Sequence, residues 1–296
     1  MGICHWDAKI LWEAHLSGVV FKDTATIGHQ SLYLHPAELK FFQQEFQTNF
    51  PESPINPLEN YKFGDYSDGF LRNFLGADSV SVIDFSSYEG ADIIHDLNEP
   101  IPENLHGRFD ALIDGGSLEH IFNFPIAVKN FMQLLKTGGS LFIATPANNL
   151  CGHGFYQFSP ELMFRVFTPE NGFELQRIIL YEAAFPSVEL TAHRKAYEVT
   201  DPKQTRSRVG IMSKTAVTML VEAKKISDMS PFANVPLQSD YVTVWNQTEE
   251  PPPQSGVKKA LRSVFESLPS FLQTRIHGYR QKRMFSFSNK RFYKKL

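Results

Sequence analysis

The sequence predicts an α/β fold in which a mostly parallel sheet carries helices on both faces. Short apolar, β-branched segments recur along the chain, and segments with helical spacing of apolar residues lie between them. Strands that alternate with helices are typical of a parallel sheet that is covered on both sides. A length of 296 residues, with 42% apolar and 21% charged residues, suffices for one large globular domain or two small ones.

The first half of the chain supplies three strands and two helices. In order, its elements are a strand at 19–27 that stops at Gly28, a helix that starts near Pro36, a proline-rich loop or lid at 48–66, a short helix at 68–76, a strand at 79–84 and a third strand near 91–95. Pro in the first turn of a helix and Gly at its end are common boundary residues.

The second half continues the alternation and brings the predicted strands to seven. Its elements are a fourth strand at 109–113, a helix at 125–136 capped by Gly138 and Gly139, a fifth strand at 141–145, a helix that opens at 159–161 and runs to about 167, and two more strands at 173–181 and 215–223. We expect an insertion on the acceptor side at about 184–214.

Charge is distributed unevenly along the chain. Residues 254–296 contain eleven Lys and Arg against the single acid Glu266, whereas the residues before them contain 18 basic and 31 acidic residues. An acidic body disfavours nucleic acid as its main ligand, because a phosphate backbone requires a basic surface. Residues 249–253, Glu-Glu-Pro-Pro-Pro, form a linker between a domain predicted at 1–248 and a basic tail within 249–296.

The basic tail has three open interpretations. It can be a solvated extension, an amphipathic anchor at a membrane surface, or a docking segment for an acidic partner. Its first half has apolar residues at helical spacing up to a break at Pro269. The membrane anchor is plausible because aromatic residues lie among the charges, namely Phe285, Phe287, Phe292 and Tyr293.

The expected location is cytoplasmic, with peripheral membrane contact if the tail acts as an anchor. Two cysteines, Cys4 and Cys151, cannot build a disulfide framework and fit a reducing compartment. No apolar segment is long enough to cross a bilayer, and the N-terminus lacks the basic-then-apolar order of a secretory signal.

Glycines and polar residues follow the predicted strands, at the edge where ligands of such sheets bind. Gly28, followed by His29 and Gln30, permits a cofactor to approach the backbone, although a simple turn glycine would have the same sequence. Asp84, followed by Phe85, can accept both hydroxyls of a ribose or can act as a cap.

The next two strand ends extend this candidate cofactor site. Asp96 can accept an adenine amino group while the Leu97 amide meets a ring nitrogen, or Asp96 can simply form a turn. Asp114, Gly115 and Gly116 follow the fourth strand, where two glycines permit close backbone approach.

A carboxylate and two histidines are candidates for proton transfer. Glu119 can fix the tautomer of the adjacent His120, although helix capping is an equal explanation. No metal is expected at this pair, because no further ligand stands at i+3 or i+4. His153 lies between two glycines on the loop after the fifth strand, where it can act as a general base. The same loop offers three side chains for acceptor contacts: Asn149, Tyr156 and Gln157.

The central third of the chain resembles the class I S-adenosylmethionine-dependent methyltransferases with a type 11/12-like domain. The resemblance rests on Val-Ile-Asp at 82–84, His-Asp-Leu-Asn at 95–98, Asp-Gly-Gly-Ser-Leu-Glu-His at 114–120 and Leu-Leu-Lys-Thr-Gly-Gly at 134–139. It extends more loosely over about 19–223. It implies a Rossmann-like, mostly parallel sheet of seven strands, followed by a basic C-terminal extension.

The resemblance also implies roles for the strand-end residues. The ribose-binding acid of the family falls on Asp84, and its adenine contact falls on Asp96 and Leu97. The wall near the reactive methyl group falls on 114–116. The first glycine-rich motif falls on 27–30, where this chain departs from the family because it keeps a single glycine.

The predicted function is S-adenosylmethionine-dependent O-methylation of a small polar molecule or a sugar. The sulfonium supplies the activation, so the protein must align donor and acceptor and remove a hydroxyl proton. His153 is the first candidate for the base, and His120, oriented by Glu119, is the second. Two other classes remain open: an inactive methyltransferase-like scaffold with a docking tail, and a dinucleotide-dependent oxidoreductase, whose G-x-G-x-x-G turn the chain lacks.

Overall fold

One long sheet and one short sheet organise the chain, whose computed structural model describes residues 2–183, 195–205, 207–245 and 256–296. The strands are β1 (Gly2–Ile3), β2 (Asp23–Ile27), β3 (Ser31–Leu32), β4 (Ser79–Asp84), β5 (Ile93–Ile94), β6 (Phe109–Gly115), β7 (Leu135–Asn148), β8 (Phe173–Ala183), β9 (Ala196–Val199), β10 (Ala216–Lys225) and β11 (Tyr293–Lys295). The helices are α1 (His5–Leu16), α2 (Pro36–Asn49), α3 (Asp68–Asn73), α4 (Phe124–Leu134), α5 (Pro160–Val166), α6 (Pro202–Thr205), α7 (Ser239–Trp245), α8 (Gly256–Glu266) and α9 (Ser270–Met284).

The long sheet is mixed and has nine strands, so the predicted sheet of seven mostly parallel strands is wrong in these details. The strand order is β11-β9-β8-β10-β7-β6-β2-β4-β5. Strands β7, β6, β2, β4 and β5 are parallel, whereas β10 is antiparallel to both of its neighbours. The short strands β9 and β11 extend the edge beyond β8 in alternating directions. They account for the two additional strands.

The five parallel strands have the order of a doubly wound, Rossmann-like sheet. Counted along the chain, they lie in the order 3-2-1-4-5, and the direction of winding reverses between β2 and β6. The carboxyl ends of all five strands therefore meet at one edge. The crevice at the point of reversal is where sheets of this kind bind ligands.

Helices cover both faces of the long sheet, as predicted. On one face, α1, α2 and α3 bury Trp12, Phe42 and Phe70, each 2% exposed or less. On the other face, α4 and α5 bury Phe131 and Met163. Because the central strands are covered on both sides, their side chains are apolar on both faces.

The first helix after β2 begins where the sequence predicts. Glu38 accepts a 2.8 Å hydrogen bond from the backbone amide of His35, which satisfies a free donor at the start of α2. Strand β4 matches its predicted bounds. The predicted glycine cap after α4 is wrong: β7 already begins at Leu135, and Gly138 and Gly139 lie within it.

The basic tail ends inside the long sheet. Tyr293 in β11 pairs with Val199 in β9, and both Phe292 and Tyr293 are 2% exposed or less. Phe287 stacks on Tyr197 with ring centroids 4.1 Å apart. These aromatic residues pack against the body, so they do not supply the exposed membrane-binding surface that their sequence pattern suggested.

Two predicted features fall partly or wholly outside the described ranges. The linker at 249–253 lies outside them, and so do residues 184–194 and 206 of the insertion predicted at 184–214. The division into a domain at 1–248 and a tail at 249–296 therefore stays a prediction. Within the described ranges, no helix is both long enough and apolar enough to cross a membrane.

Candidate functional site

A cleft of about 340 Å³ lies at the reversal point of the long sheet. Its walls come from the segments that follow β2, β4, β5 and β6, which are neighbours in the sheet. The lining residues are Ile27, Gly28, Ile83, Asp84, Phe85, His95, Asp96, Leu97, Asn98, Ser117, His120 and Ile121. Larger clefts lie beside α5 and along α9, away from these strand ends. The volume at the reversal point is within the range of small-molecule sites.

Gly28 and Asp84 close the adjacent ends of β2 and β4. Gly28 has a φ of 69°, in the left-handed region that favours glycine, and its amide donates a 2.8 Å hydrogen bond to the carbonyl of Ile83. Oδ1 of Asp84 accepts a 2.5 Å hydrogen bond from the amide of Phe85. This bond fixes a half-buried carboxylate at the wall of the cleft.

The segment after β5 presents a carboxylate and an amide to the same cleft. Oδ1 of Asp96 accepts hydrogen bonds from the backbone amide of Asn98 at 2.9 Å and from its side-chain amide at 2.8 Å. These bonds hold the pKa of the Asp96 carboxyl below its ordinary value, so the carboxylate stays ionised. The Leu97 amide makes no hydrogen bond within the described part of the chain. A donor beside an acceptor matches the hydrogen-bonding edge of adenine.

His29 supports the rim of the cleft and does not line it. Its ring stacks on Tyr66 with centroids 3.5 Å apart, and its Nε2 lies 2.8 Å from Oδ2 of Asp68. Its Nδ1 lies 2.7 Å from the carbonyl oxygen of Glu89. His29 therefore ties the loop after β4 to the start of α3, which is a positioning role instead of the predicted cofactor contact.

Gln30 and Gly115 lie behind the cleft. The Gln30 side chain is fully buried, and its amide donates a hydrogen bond to the carbonyl of Ile27. A Cβ at Gly115 would lie 2.3 Å from Oε1 of Gln30, so the glycine makes room for the glutamine. Gln30 and Gly115 therefore pack against each other beneath the turn at Gly28.

Asp114 is buried near the end of β6 and does not line the cleft. It accepts hydrogen bonds from the amides of Ser117 at 2.7 Å and Leu118 at 3.1 Å. Gly116, with a φ of 108°, completes this turn. Burial, with the charge of Glu119 as the second cause, raises the pKa of Asp114 to about 7. The carboxyl organises the turn that carries Ser117 into the cleft wall.

Glu119 and His153 meet next to the cleft, although 33 residues separate them in the chain. Oε1 of Glu119 lies 3.3 Å from Nε2 of His153, and Oε2 accepts a 3.1 Å hydrogen bond from the hydroxyl of Thr145. The Glu119 side chain is 1% exposed, whereas that of His153 is 47% exposed. A fixed carboxylate favours a proton on Nε2, so the lone pair of the neutral ring lies on Nδ1.

His120 brings a third polar group to this pair. Its ring centroid lies 5.3 Å from that of His153, and potential ligand atoms of Glu119, His120 and His153 all lie within 4.8 Å of one another. Two imidazoles and a carboxylate are a donor set that can hold a divalent metal ion. The spacing of residues around Glu119 and His120 does not identify His153 as the third group, because His153 follows a different strand, β7.

The loop after β7 is fastened to Glu119 through its backbone. The amides of Phe155 and Tyr156 donate to the carbonyl of Glu119 at 2.9 Å and 3.3 Å. Gly154 approaches so closely that a Cβ there would lie 2.9 Å from the same oxygen. The missing side chain at Gly154 therefore lets the preceding His153 reach the Glu119 carboxylate.

We expect Gly154→Ala to separate His153 from Glu119. The added Cβ would collide with a carbonyl oxygen, so the loop backbone must move. Amide exchange at Phe155 should accelerate about fivefold, as for the loss of one hydrogen bond of roughly 1 kcal/mol, and the ring resonances of His153 should shift. The control is Gly152→Ala, where a Cβ meets nothing within 4 Å. Equal changes in the two variants would contradict the prediction.

Two predicted acceptor contacts, Asn149 and Gln157, already make hydrogen bonds within the protein. The side-chain amide of Asn149 donates to the carbonyls of Ser213 at 2.8 Å and Thr215 at 2.9 Å. Oε1 of Gln157 accepts a 2.8 Å hydrogen bond from the amide of Leu150. Asn149 therefore ties the loop that carries His153 to the segment before β10, and Gln157 closes the loop on itself.

An exposed aromatic ring follows each of the two histidines after one intervening residue. Phe122 and Phe155 are 73% and 69% exposed and meet edge to face, with centroids 6.3 Å apart. The hydroxyl of Tyr156, a predicted acceptor contact, donates a 2.7 Å hydrogen bond to the carbonyl of Phe122. This bond joins the segment after His120 to the segment after His153. Together they form an aromatic rim, defined here as Phe122, Phe155 and Tyr156.

Five residues that line the cleft were not predicted: Ile83, His95, Asn98, Ser117 and Ile121. Ile83 is the next-to-last residue of β4, and the other four follow strand ends within a few residues. The predicted site residues were hydrogen-bond acceptors and glycines at the strand ends, so neighbouring residues of other types were not included. Short distance in sequence from a strand end is the signal that identifies these neighbours.

Comparisons with known proteins give a weak likeness to methyltransferases. No protein family and no curated protein matches the chain. Among solved structures, a Bacillus halodurans protein with a provisional assignment as a methyltransferase is 12% identical, covering 75% of this chain and 99% of its own, with a TM-score of 0.42. A Thermotoga maritima protein described as a SAM-dependent methyltransferase and possible histamine N-methyltransferase is 13% identical, covering 75% and 90%, with a TM-score of 0.38. TM-scores of this size do not establish a common fold.

A third solved structure contains a bound product of the methyl donor. The 1,6-didemethyltoxoflavin-N1-methyltransferase of Burkholderia thailandensis, with S-adenosylhomocysteine, is 12% identical, covers 75% of this chain and 78% of its own, and has a TM-score of 0.35. The Rossmann-like assignment of this chain therefore rests on its own strand order and on the cleft at the reversal point.

Proposed function

We propose that this protein is a class I S-adenosylmethionine-dependent methyltransferase that methylates an oxygen of a small polar or sugar-type acceptor. The observation that carries the proposal is the set of groups that the cleft presents at the reversal point. Asp84 offers a carboxylate for the ribose hydroxyls, and the Asp96 carboxylate with the Leu97 amide matches the edge of adenine.

The adenosine half of the cofactor fits these residues better than its methionine half. Gly28 supplies a tight turn that permits close approach, but Gln30 is buried beneath that turn. Asp84, Asp96 and Leu97 would therefore hold the adenosine. Because these residues would bind the adenosine, S-adenosylhomocysteine, which contains it, is the first ligand to test.

Calorimetric titration of the full chain with S-adenosylhomocysteine, beside NAD, tests the cofactor proposal. Saturable binding of S-adenosylhomocysteine without binding of NAD supports it. Binding of NAD alone favours the oxidoreductase class, and binding of neither at millimolar concentration favours an inactive scaffold. The scaffold remains the alternative because the glycine turn is reduced and Gln30 fills the space behind it.

The protein's chemical task is to align the acceptor and to take its proton. When bound, S-adenosylmethionine supplies an activated methyl group. His153 is our proposed general base: Nδ1 accepts the hydroxyl proton, and the buried Glu119 carboxylate stabilises the resulting imidazolium. His120 is the second candidate, since its ring lies beside that of His153 and lines the cleft.

The aromatic rim supports a ring-shaped acceptor. Phe122 and Phe155 expose apolar ring faces, and each lies two residues after a histidine whose imidazole offers polar contacts. A sugar has both an apolar ring face and hydroxyl groups, so it matches this combination. Hydroxylated small molecules and sugars are therefore the first acceptors to screen with labelled S-adenosylmethionine.

We expect His153→Ala to lower the rate of methyl transfer by about a hundredfold or more with any acceptor found by that screen. The affinity for S-adenosylhomocysteine should stay unchanged, because His153 does not line the cofactor cleft. Added imidazole should restore part of the rate if the ring acts as a base. A rate that is unchanged in His153→Ala but reduced in His120→Ala would transfer the base role to His120.

A further inference from the structure

A second large cleft, of about 1000 Å³, lies along α9. We name it the tail cleft and define its charged lining as Arg275, Arg280, Arg283, Lys290 and Arg291. The first three are on α9, and the other two are on the segment that returns from α9 to β11. No acidic residue lines it among those that the structure describes. Five positive charges around one open cleft create a strong attraction for an anion.

No carboxylate of the described residues neutralises the tail cleft, in contrast to three arginines of the body. Arg165, Arg177 and Arg208 on the body each form ion pairs with Asp or Glu. Arg291 donates to the carbonyl of Thr205, and Arg280 lies 5.7 Å from the ring centroid of Phe265, so neither partner carries a charge. Across the described ranges, no ion pair joins a cation of the tail cleft to a carboxylate.

The cleft is held in place by the fold. The side-chain amide of Asn289 donates a 2.8 Å hydrogen bond to the carbonyl of Met284, at the end of α9, and its Oδ1 accepts from the amide of Arg291 at 3.1 Å. The chain then enters β11 through the buried Phe292 and Tyr293. Hydrogen bonds and strand pairing therefore hold the segment that carries Lys290 and Arg291 next to α9.

Apolar side chains on the same helix remain exposed. Phe271, Tyr279 and Met284 are 60%, 68% and 44% exposed, and they lie on α9 among its arginines. Phe271, Arg275 and Tyr279 follow one another at a spacing of four, which places them along one side of the helix. Tyr is enriched at membrane–water interfaces, and basic residues beside it are attracted to anionic headgroups.

We propose that the tail cleft and the exposed side of α9 dock this protein on a membrane surface rich in anionic phospholipid, with lipid phosphates in the cleft. Guanidinium groups bind phosphate in a bidentate manner, and Tyr279 and Phe271 enter the interface. The acidic body disfavours an extended polyanion such as nucleic acid, which would run past the tail onto negative surface. A membrane touches only the tail end of the molecule. This inference goes beyond the proposed function and does not depend on it.

Co-sedimentation of the full chain with vesicles tests the proposal. One set contains phosphatidylcholine alone, and the other contains about one-third phosphatidylserine. The triple variant Arg275→Ala/Arg283→Ala/Lys290→Ala should lose about a hundredfold in vesicle affinity, roughly fivefold for each charge removed. The control triple variant, Lys40→Ala/Lys62→Ala/Lys203→Ala, removes the same net charge from exposed positions on the body and should bind like the wild type.

Several results distinguish the membrane from other anionic partners. Binding only to the phosphatidylserine vesicles, weakened by salt and by Tyr279→Ser, supports the proposal. Absence of vesicle binding, equal loss in the two triple variants, or binding to a single-stranded RNA without binding to vesicles would each overturn it. Unchanged affinity for S-adenosylhomocysteine in both triple variants separates this outcome from that of the proposed function.

Discussion

Asp84→Ala is expected to weaken the binding of S-adenosylhomocysteine about a hundredfold. The carboxylate is fixed at the wall of the cleft by the amide of Phe85, at the end of β4, which pairs with β2. A ribose that binds there donates two hydroxyl hydrogen bonds to a charged acceptor, and each contributes about 1.5 kcal/mol. Together these bonds correspond to the expected loss, which calorimetric titration measures directly.

Two further variants sharpen this prediction. Asp84→Asn keeps the shape of the side chain but loses the charge and one acceptor, so we expect an intermediate loss of about tenfold. Asp78→Ala is the matched control, because Asp78 is exposed and lies just before the other end of the same strand. Similar affinities for the wild type and Asp84→Ala would remove the ribose role from Asp84, even if the cofactor itself binds.

The central strands and the covering helices could be predicted from the sequence because their apolar patterns are local. β4 carries its signal within six residues, and α2 carries Pro36 and Glu38 at its start. The short strands β9 and β11 carry no such signal. They pair across about 95 residues of chain, so only the packing of Phe292 and Tyr293 against the body defines them. Helix α1 was also missed, because burial of most of its residues leaves a weak amphipathic pattern.

Strand-end reasoning located the candidate site but not the direction of each side chain. Asp84, Asp96 and Leu97 line the cleft because each lies at or just beyond a strand end. Gln30 and Asp114 lie at equivalent positions, yet they point into the protein and satisfy backbone amides and carbonyls of the turns. The sequence contains both the acid and the histidine of the Glu119 and His153 pair. Their contact is visible only in the structure, in the 3.3 Å distance from Oε1 of Glu119 to Nε2 of His153 and in the close approach of Gly154 to the Glu119 backbone.

A buried carboxyl on α1 makes stability depend on pH. Oδ2 of Asp7 accepts a 2.8 Å hydrogen bond from the amide of Cys4, whereas Oδ1 has no hydrogen-bond partner within the described ranges. Burial raises the pKa of Asp7 to about 7 from its ordinary value of 3.8. The folded protein therefore binds a proton that the unfolded chain releases between these two values. The contribution of Asp7 to the unfolding free energy is therefore greatest below about pH 4, and it is lost as the pH rises through 7.

Asp7→Asn should remove this dependence and stabilise the protein at high pH. The difference in unfolding free energy between the variant and the wild type should grow by roughly 4 kcal/mol from pH 4 to pH 8. Urea unfolding at a series of pH values measures it. Asp23→Asn is the control of opposite sign: a hydrogen bond from Lys136 lowers the pKa of Asp23, so this variant should lose a little stability above pH 4. A pH-independent difference for Asp7→Asn would mean that Asp7 has the same pKa in the folded and unfolded chains.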